Sequence, residues 1–224
     1  MERPLMIAAG LALAVGAIMP ELVDLASNTD KDKPTSAAKA KPSSAEKYSR
    51  DAWKHWTDAD KDCQDTRQEV LIEESVVPVK LSADGCRVES GKWLDPYSGQ
   101  EFTNPADLDV DHLVPLAEAH ASGGSAWNPD MRENYANDTG DPAHLVAVSA
   151  SLNRQKGSKT IAEWLPPNAA AHCWYGKEWW RIKRKWGLAF DPEEILALYA
   201  IEAHCEIVAK RRSDAAATAD KEKK

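Results

Sequence analysis

The sequence predicts an α+β domain whose centre is two strands, a long loop and a short helix converging on one point, and three observations carry that expectation. Leu108 to Val114 is an apolar strand pattern, and Pro115 stops its ladder because it has no N–H to donate. His144 to Ser149 is a second apolar segment, bounded by Asp141-Pro142 and short enough to be the strand that pairs with the first. Ser149 or Ser151 can then cap a helix that holds Asn153 and Lys156 at i and i+3 on one face and stops at Gly157.

The 224 residues allow one substantial domain with tails. Residues 1–26 read as a secretory signal peptide or an uncleaved N-terminal anchor, since Leu5 to Met19 is apolar but brief for a bilayer span. Residues 27–47 are rich in Ala, Lys, Ser and Pro without apolar periodicity and read as a disordered linker. The folded domain is expected over 48–212, followed by an Ala- and charge-rich disordered tail over 213–224. Cys63, Cys86, Cys173 and Cys205 form an even set with no C-x-x-C spacing that suits zinc, which agrees with export. Of the three pairings, Cys63 with Cys86 and Cys173 with Cys205 each close a local unit, and each bridge contributes roughly 3 kcal/mol through loop entropy.

Within the domain, Ser49 is placed to cap a helix with Trp53 and Trp56 on one face. The acidic segment after it has oxygen-bearing side chains at Asp58, Asp60, Asp62, Thr66 and Glu69, the first, third, fifth, ninth and twelfth positions of an EF-hand-type loop, with Cys63 where such a loop wants glycine. It reads either as a calcium site separate from the catalytic one or as a solvated acidic turn leading into a helix from Thr66 to Glu74. Val76 to Leu81 and Arg87 to Trp93 read as a hairpin, and Asp95 to Gly99 as a second turn. Beyond Trp164-Leu-Pro-Pro167, Ala169 to Trp186 reads as a helix, and Asp191-Pro192 opens a last helix from about Glu193 to Arg211.

A net charge of -8 excludes a protein that coats nucleic acid by bulk charge. Asp109 to Lys159 itself holds seven acids and four bases, a net -3, so a polyanion would be repelled there without a cation. Phosphodiester cleavage needs such a cation, a base for water, and side chains that hold the backbone. Asp111 offers an anionic oxygen and Asn153 a neutral one, a set suited to Mg²⁺ or Mn²⁺. His112, with a free pKa of about 6.5, suits the base. Arg154, Lys156 and Lys159 can grip phosphates.

The run DHLVPL, then Asn137-Asp138, then LNRQKGSK resembles the HNH endonuclease superfamily with its ββα-metal fold. It is most similar to secreted actinobacterial HNH proteins related to the C-terminal domain of the GmrSD restriction enzymes. The likeness extends from about Tyr48 to Ala203 and includes DTRQEVL, SGKWLDPYSG and AEWLPP. It implies His112 as general base, Asp111 and Asn153 as metal ligands, and Asn137 or its neighbour Asp138 as the middle residue that orients the site. Asn153 stands where the motif's final histidine is expected, and the zinc-binding cysteines of some relatives are absent.

Other residues have plainer readings. His120, His144, His172 and His204 are taken as structural. Asp109 shares a strand face with Asp111 and either supports the site from behind or is a solvated acid. Arg132 is read as a surface ion-pair residue. The tryptophans are read as core. Lys177 to Gly187 carries five bases and one acid, either a solvated helix face or a backbone-binding surface.

The chain is therefore expected to be a secreted or extracytoplasmic, monomeric, metal-dependent endonuclease that cuts DNA rather than RNA with little sequence preference, since no separate recognition domain is evident. No organic cofactor is expected, and the membrane is met only through an uncleaved leader. The competing readings are a non-catalytic extracellular module that binds calcium or the cell envelope, and an antibacterial nuclease effector with an immunity partner.

Overall fold

In the computed structural model, which describes residues 47–221 and side-chain surroundings through 215, the central ribbon is β5 (Leu108–His112) paired antiparallel with β6 (Leu145–Ser149). The leader expected over 1–26 and the linker up to residue 46 lie outside the described residues. Side chains of the ribbon alternate between faces. Leu108 and Val110 join Leu145 and Ala147 in one buried cluster, with Val70, Leu71 and Trp93. Val146 and Val148 belong to the larger cluster on the other face, around Trp53, Tyr135 and Trp179. Asp109 and Asp111 lie opposite Val148 and Val146 in the register, so both acids share that second face.

Helix α1 (Thr66–Glu73) covers the first face, and Asp65 caps it by accepting from Gln68 N. Two short hairpins follow, β1 (Lys80–Leu81) with β2 (Val88–Ser90) and β3 (Trp93–Leu94) with β4 (Glu101–Phe102). Both occur where the turn residues put them, but their ladders are shorter than the apolar runs suggest. Between the central strands the chain forms α2 (Leu116–Ala121) and α3 (Pro129–Ala136). Helix α4 (Ala150–Lys156) follows β6 directly and packs on the ribbon, ending at Gly157 with a φ of 56°.

The C-terminal pair is α5 (His172–Lys185) and α6 (Pro192–Lys221). Asp191 and Glu194 close a reciprocal cap at the start of α6, Glu194 N donating to Asp191 Oδ1 and Asp191 N to Glu194 Oε2. The helices touch closely where Gly176 faces Ile201, since a Cβ at Gly176 would lie 2.9 Å from Ile201 Cγ2. Both expected disulfides are present, Cys63–Cys86 and Cys173–Cys205, and the second ties α5 to α6. Among the described residues no helix is long and apolar enough to cross a membrane.

Three expectations need correction. The helix over Trp53 and Trp56 is only a 3-10 turn, Arg50–Ala52, and Ser49 makes no side-chain cap. Trp56 has a φ of 57°, which no right-handed helix accommodates. The last helix passes Arg211 and runs to Lys221, because the Ala-rich sequence of the expected tail favours helix and contains no Gly or Pro to stop it. The basic run of α5 is not a free cationic surface. Lys183 is fully buried between Glu118 (2.7 Å) and Glu194 (2.5 Å), Arg181 pairs with Asp141 and Glu178, and Lys185 with Asp138.

Removing one member of a buried ionic cluster strands the others. Lys183→Ala should therefore lower unfolding free energy in urea by about 3 to 5 kcal/mol. The triple variant Glu118→Gln, Lys183→Met, Glu194→Gln should recover much of that loss.

Candidate active site

Where β5 ends, two successive residues take different roles. The His112 ring sits between Trp56, stacked at 5.5 Å and 26°, and Tyr135, parallel at 6.5 Å. Its Nε2 lies 2.9 Å from the Ala136 carbonyl at the C-terminus of α3. A carbonyl only accepts, so Nε2 carries the proton and Nδ1 is left as the basic nitrogen. Burial, helped by nearby His144, pushes the imidazole pKa well below its usual value, while the Ala136 carbonyl opposes that shift. His112 is therefore neutral near pH 7, and an imidazolium formed by proton uptake would lie at the negative end of the α3 dipole.

That helix end is itself held by side chains. His144 Nε2 lies 2.7 Å from the Tyr135 carbonyl. Asn137 Nδ2 donates to Glu133 O at 2.8 Å and to Lys54 O at 2.9 Å, while its Oδ1 accepts from Thr57 N and Thr66 Oγ1. Both amide N–H groups and the amide oxygen are engaged by the protein, so Asn137 does not face a substrate. It instead clasps both sides of Trp56 and holds that residue in its left-handed backbone conformation against the His112 ring. Asp138, the other residue considered for the middle position, points to Lys185 at 2.5 Å.

Asp111 faces the opposite side of the strand. Lys156 Nζ lies 2.9 Å from Asp111 Oδ1, 2.8 Å from Oδ2 and 2.9 Å from the His112 carbonyl, and Tyr97 OH donates to Oδ2 at 2.7 Å. Two of these contacts are hydrogen bonds, to Asp111 Oδ1 and the His112 carbonyl, and the close Oδ2 adds charge attraction. Burial pushes the Asp111 carboxyl up and the Lys156 ammonium down, and each keeps the other ionised. Lys156 has 0 % exposure and is no phosphate-binding residue, which corrects the reading from its place on the helix. It is drawn inward because it lies on the α4 face that meets Asp111.

Asp111, His112, Asn153, Arg154, Arg50 and Tyr48 line one cavity of about 350 Å³. Three larger cavities, one between the segment after α4 and the C-terminal helices, one beside Arg181 and one beside Glu74, contain none of them. Asn153 Nδ2 donates to Asp109 Oδ2 at 3.1 Å, which leaves the amide oxygen as the end able to meet a cation. Arg154 is exposed at the cavity wall. Lys159 is outside it, with Nζ donating to Gln155 O at 2.7 Å.

The acidic surplus of the stretch does not survive folding. Glu118, Glu133, Asp138 and Asp141 pair with Lys183, Lys54, Lys185 and Arg181, all from outside the stretch, and Asp111 pairs with Lys156. The net -3 counted along the sequence is therefore not a field felt in the cavity. Sequence reading also missed Tyr48, Arg50, Trp56, Tyr97 and His144. Tyr97 sits in the Asp95 turn, whose side chain accepts from Tyr97 N and aims the phenol at Asp111. The sequence signal was only a turn motif.

Away from this cavity, Asp58, Asp60 and Asp62 converge with ligand oxygens within 4.8 Å of one another, all exposed. Their fields, after burial, push the Glu69 carboxyl up. Thr66, at the ninth position, is buried, and its one hydroxyl proton has Thr57 O at 2.9 Å and Asn137 Oδ1 at 3.0 Å as alternative acceptors.

Residues 65–198 match the family described as GmrSD restriction endonucleases, C-terminal domain, and the chain belongs to that family of nucleases. More particularly, it is 35% identical over 159 residues to an uncharacterized secreted protein of the fungus Arthroderma benhamiae, covering 70% of this chain and 76% of that relative. No solved structure matches the chain.

The engaged amide of Asn137 sets a stability test. Asn137→Asp turns two donations to carbonyls into repulsions and should cost about 2 kcal/mol or more in urea unfolding. Asp138→Asn breaks only a half-exposed ion pair and should cost less than about 1 kcal/mol.

Proposed function

We propose that the protein is an exported, metal-dependent endonuclease of the HNH type that hydrolyses phosphodiester bonds of DNA with low sequence preference. The observation that carries this reading is the His112 imidazole, neutral, with Nε2 engaged by Ala136 and Nδ1 left basic, on the wall of a cavity shared with Asn153 and Arg154. Membership of a restriction-endonuclease domain family supports a nucleic-acid substrate. The two disulfides, the leader-like start and the secreted fungal relative support export.

The donor set fits a hard cation. Asn153 presents a neutral oxygen, and Asp111 keeps about two of its roughly four lone-pair positions after the hydrogen bonds from Lys156 and Tyr97. Mg²⁺ or Mn²⁺ held there would stabilise charge on the phosphate and the leaving oxygen. The chain's own work is to hold His112 where Nδ1 can take a proton from water, to keep the ring from rotating by the Ala136 contact and the Trp56 and Tyr135 faces, and to grip the phosphate through Arg154. Low sequence preference follows from a grip on phosphates, which every sequence carries.

A second ion belongs to the acidic loop. We propose Ca²⁺ there because three carboxylates converge in a loop tied by Cys63–Cys86. Thermal unfolding in excess Ca²⁺ should shift upward relative to EDTA, and Asp60→Ala should abolish the shift; an unmoved midpoint in the native chain would refute the site.

For the nuclease reading, purified protein should nick supercoiled plasmid in Mg²⁺ or Mn²⁺ and stop in EDTA. His112→Ala should lower the rate by about 10²- to 10⁴-fold. Activity that survives that substitution would remove the mechanism.

A further inference from the structure

We propose that Arg50 and Arg154 form a two-sided anion subsite, in which Arg154 holds the phosphodiester at His112 and Arg50 holds a neighbouring phosphate of the same strand. This rests on the nuclease reading and deepens it by naming the backbone contacts. Arg50 lies in the first described turn, upstream of the family match that begins at residue 65, so nothing in that match points to it. It nevertheless lines the same cavity as Asp111, His112, Asn153 and Arg154.

Most charged nitrogens near the site are already committed. Lys156 is taken by Asp111, Lys183 by Glu118 and Glu194, Arg181 by Asp141 and Glu178, Lys185 by Asp138, and Lys54 by Glu133. Among the described residues no carboxylate pairs with Arg50 or Arg154. Asp111 is the acid on the cavity wall, and Lys156 behind it offsets its charge. The cavity therefore presents two exposed guanidinium groups and little opposing charge, an arrangement that attracts phosphate.

Arg50 lies beside Tyr48, whose ring packs edge-on against His120 at 5.6 Å, and both residues line the cavity. Its planar guanidinium has several N–H groups to offer a phosphate oxygen. The chemical class of ligand is thus a nucleic-acid strand spanning at least two consecutive phosphates.

The test measures binding apart from cleavage, with the full chain in the His112→Ala background, Mg²⁺ present, and a fluorescent duplex oligonucleotide titrated between 50 and 200 mM salt. Adding Arg50→Ala should weaken binding about tenfold and reduce the slope of log affinity against log salt by about 0.9. Arg50→Lys should keep the slope, because the charge remains. Lys80→Ala, whose exposed partner is Glu89 on a distant hairpin, should change neither quantity. An Arg50→Ala protein with unchanged affinity and slope, an equal loss in Lys80→Ala, or no binding by the parent would overturn the subsite. The two readings separate cleanly. An otherwise native chain that fails to nick plasmid, while the Arg50 slope change persists, sinks the nuclease and leaves the subsite. Robust nicking with no Arg50 effect does the reverse.

Discussion

The site depends on one buried ammonium. Lys156 donates to Asp111 Oδ1 and to the His112 carbonyl and pairs with the whole carboxylate, and so pins the end of β5 to the last turn of α4. Tyr97 completes the arrangement from the Asp95 turn, far away in sequence, by donating to the same carboxylate. Burying a lysine and an aspartate costs several kcal/mol of hydration per ion, which close geometry and full hydrogen bonding offset. Once that pair is in place, the His112 backbone cannot shift without breaking it, and the strand's alternation sends the His112 and Asp111 side chains to different partners around one cavity.

A second scaffold holds the imidazole. The last carbonyls of a helix have no partner within the helix, and here Tyr135 and Ala136 receive theirs from His144 and His112, while the Asn137 side chain adds a second bond to Glu133 O beside its own backbone N–H. The catalytic candidate is thus part of the cap of α3. Asn137 extends that cap to the segment from Lys54 to Thr57, and the left-handed Trp56 is the strain that this connection sustains. A residue that never meets the cavity therefore determines what lies against the base.

Charge shows how far a count along the chain can mislead. The central stretch is acidic as written, and that surplus taken alone requires a cation to admit a polyanion. Folding assigns those acids to lysines and an arginine on α5 and near the N-terminus of the domain, and leaves Arg50 and Arg154 on the cavity. The case for a metal now rests on the oxygens of Asn153 and Asp111, and the case for phosphate binding on guanidinium groups rather than on a basic helix.

Local rules made the ribbon, α4, the cap at Asp191 and the positions of the hairpins readable in the sequence alone, because Pro115, Gly157, Asp191 and the glycine turns act within a few residues of themselves. The motif brought Asp111, His112, Asn153 and Arg154 to notice for the same reason, and short loops between cysteines made their pairing legible. Only tertiary structure decided that Lys156 is buried, that Asn137 clasps Trp56, that Arg181, Lys183 and Lys185 of α5 are paired with acids, and that Tyr97, Arg50 and Tyr48 reach the site. Most of those outcomes turn on contacts between segments 40 to 83 residues apart, and periodicity along a chain carries no information about which distant charge will lie opposite which.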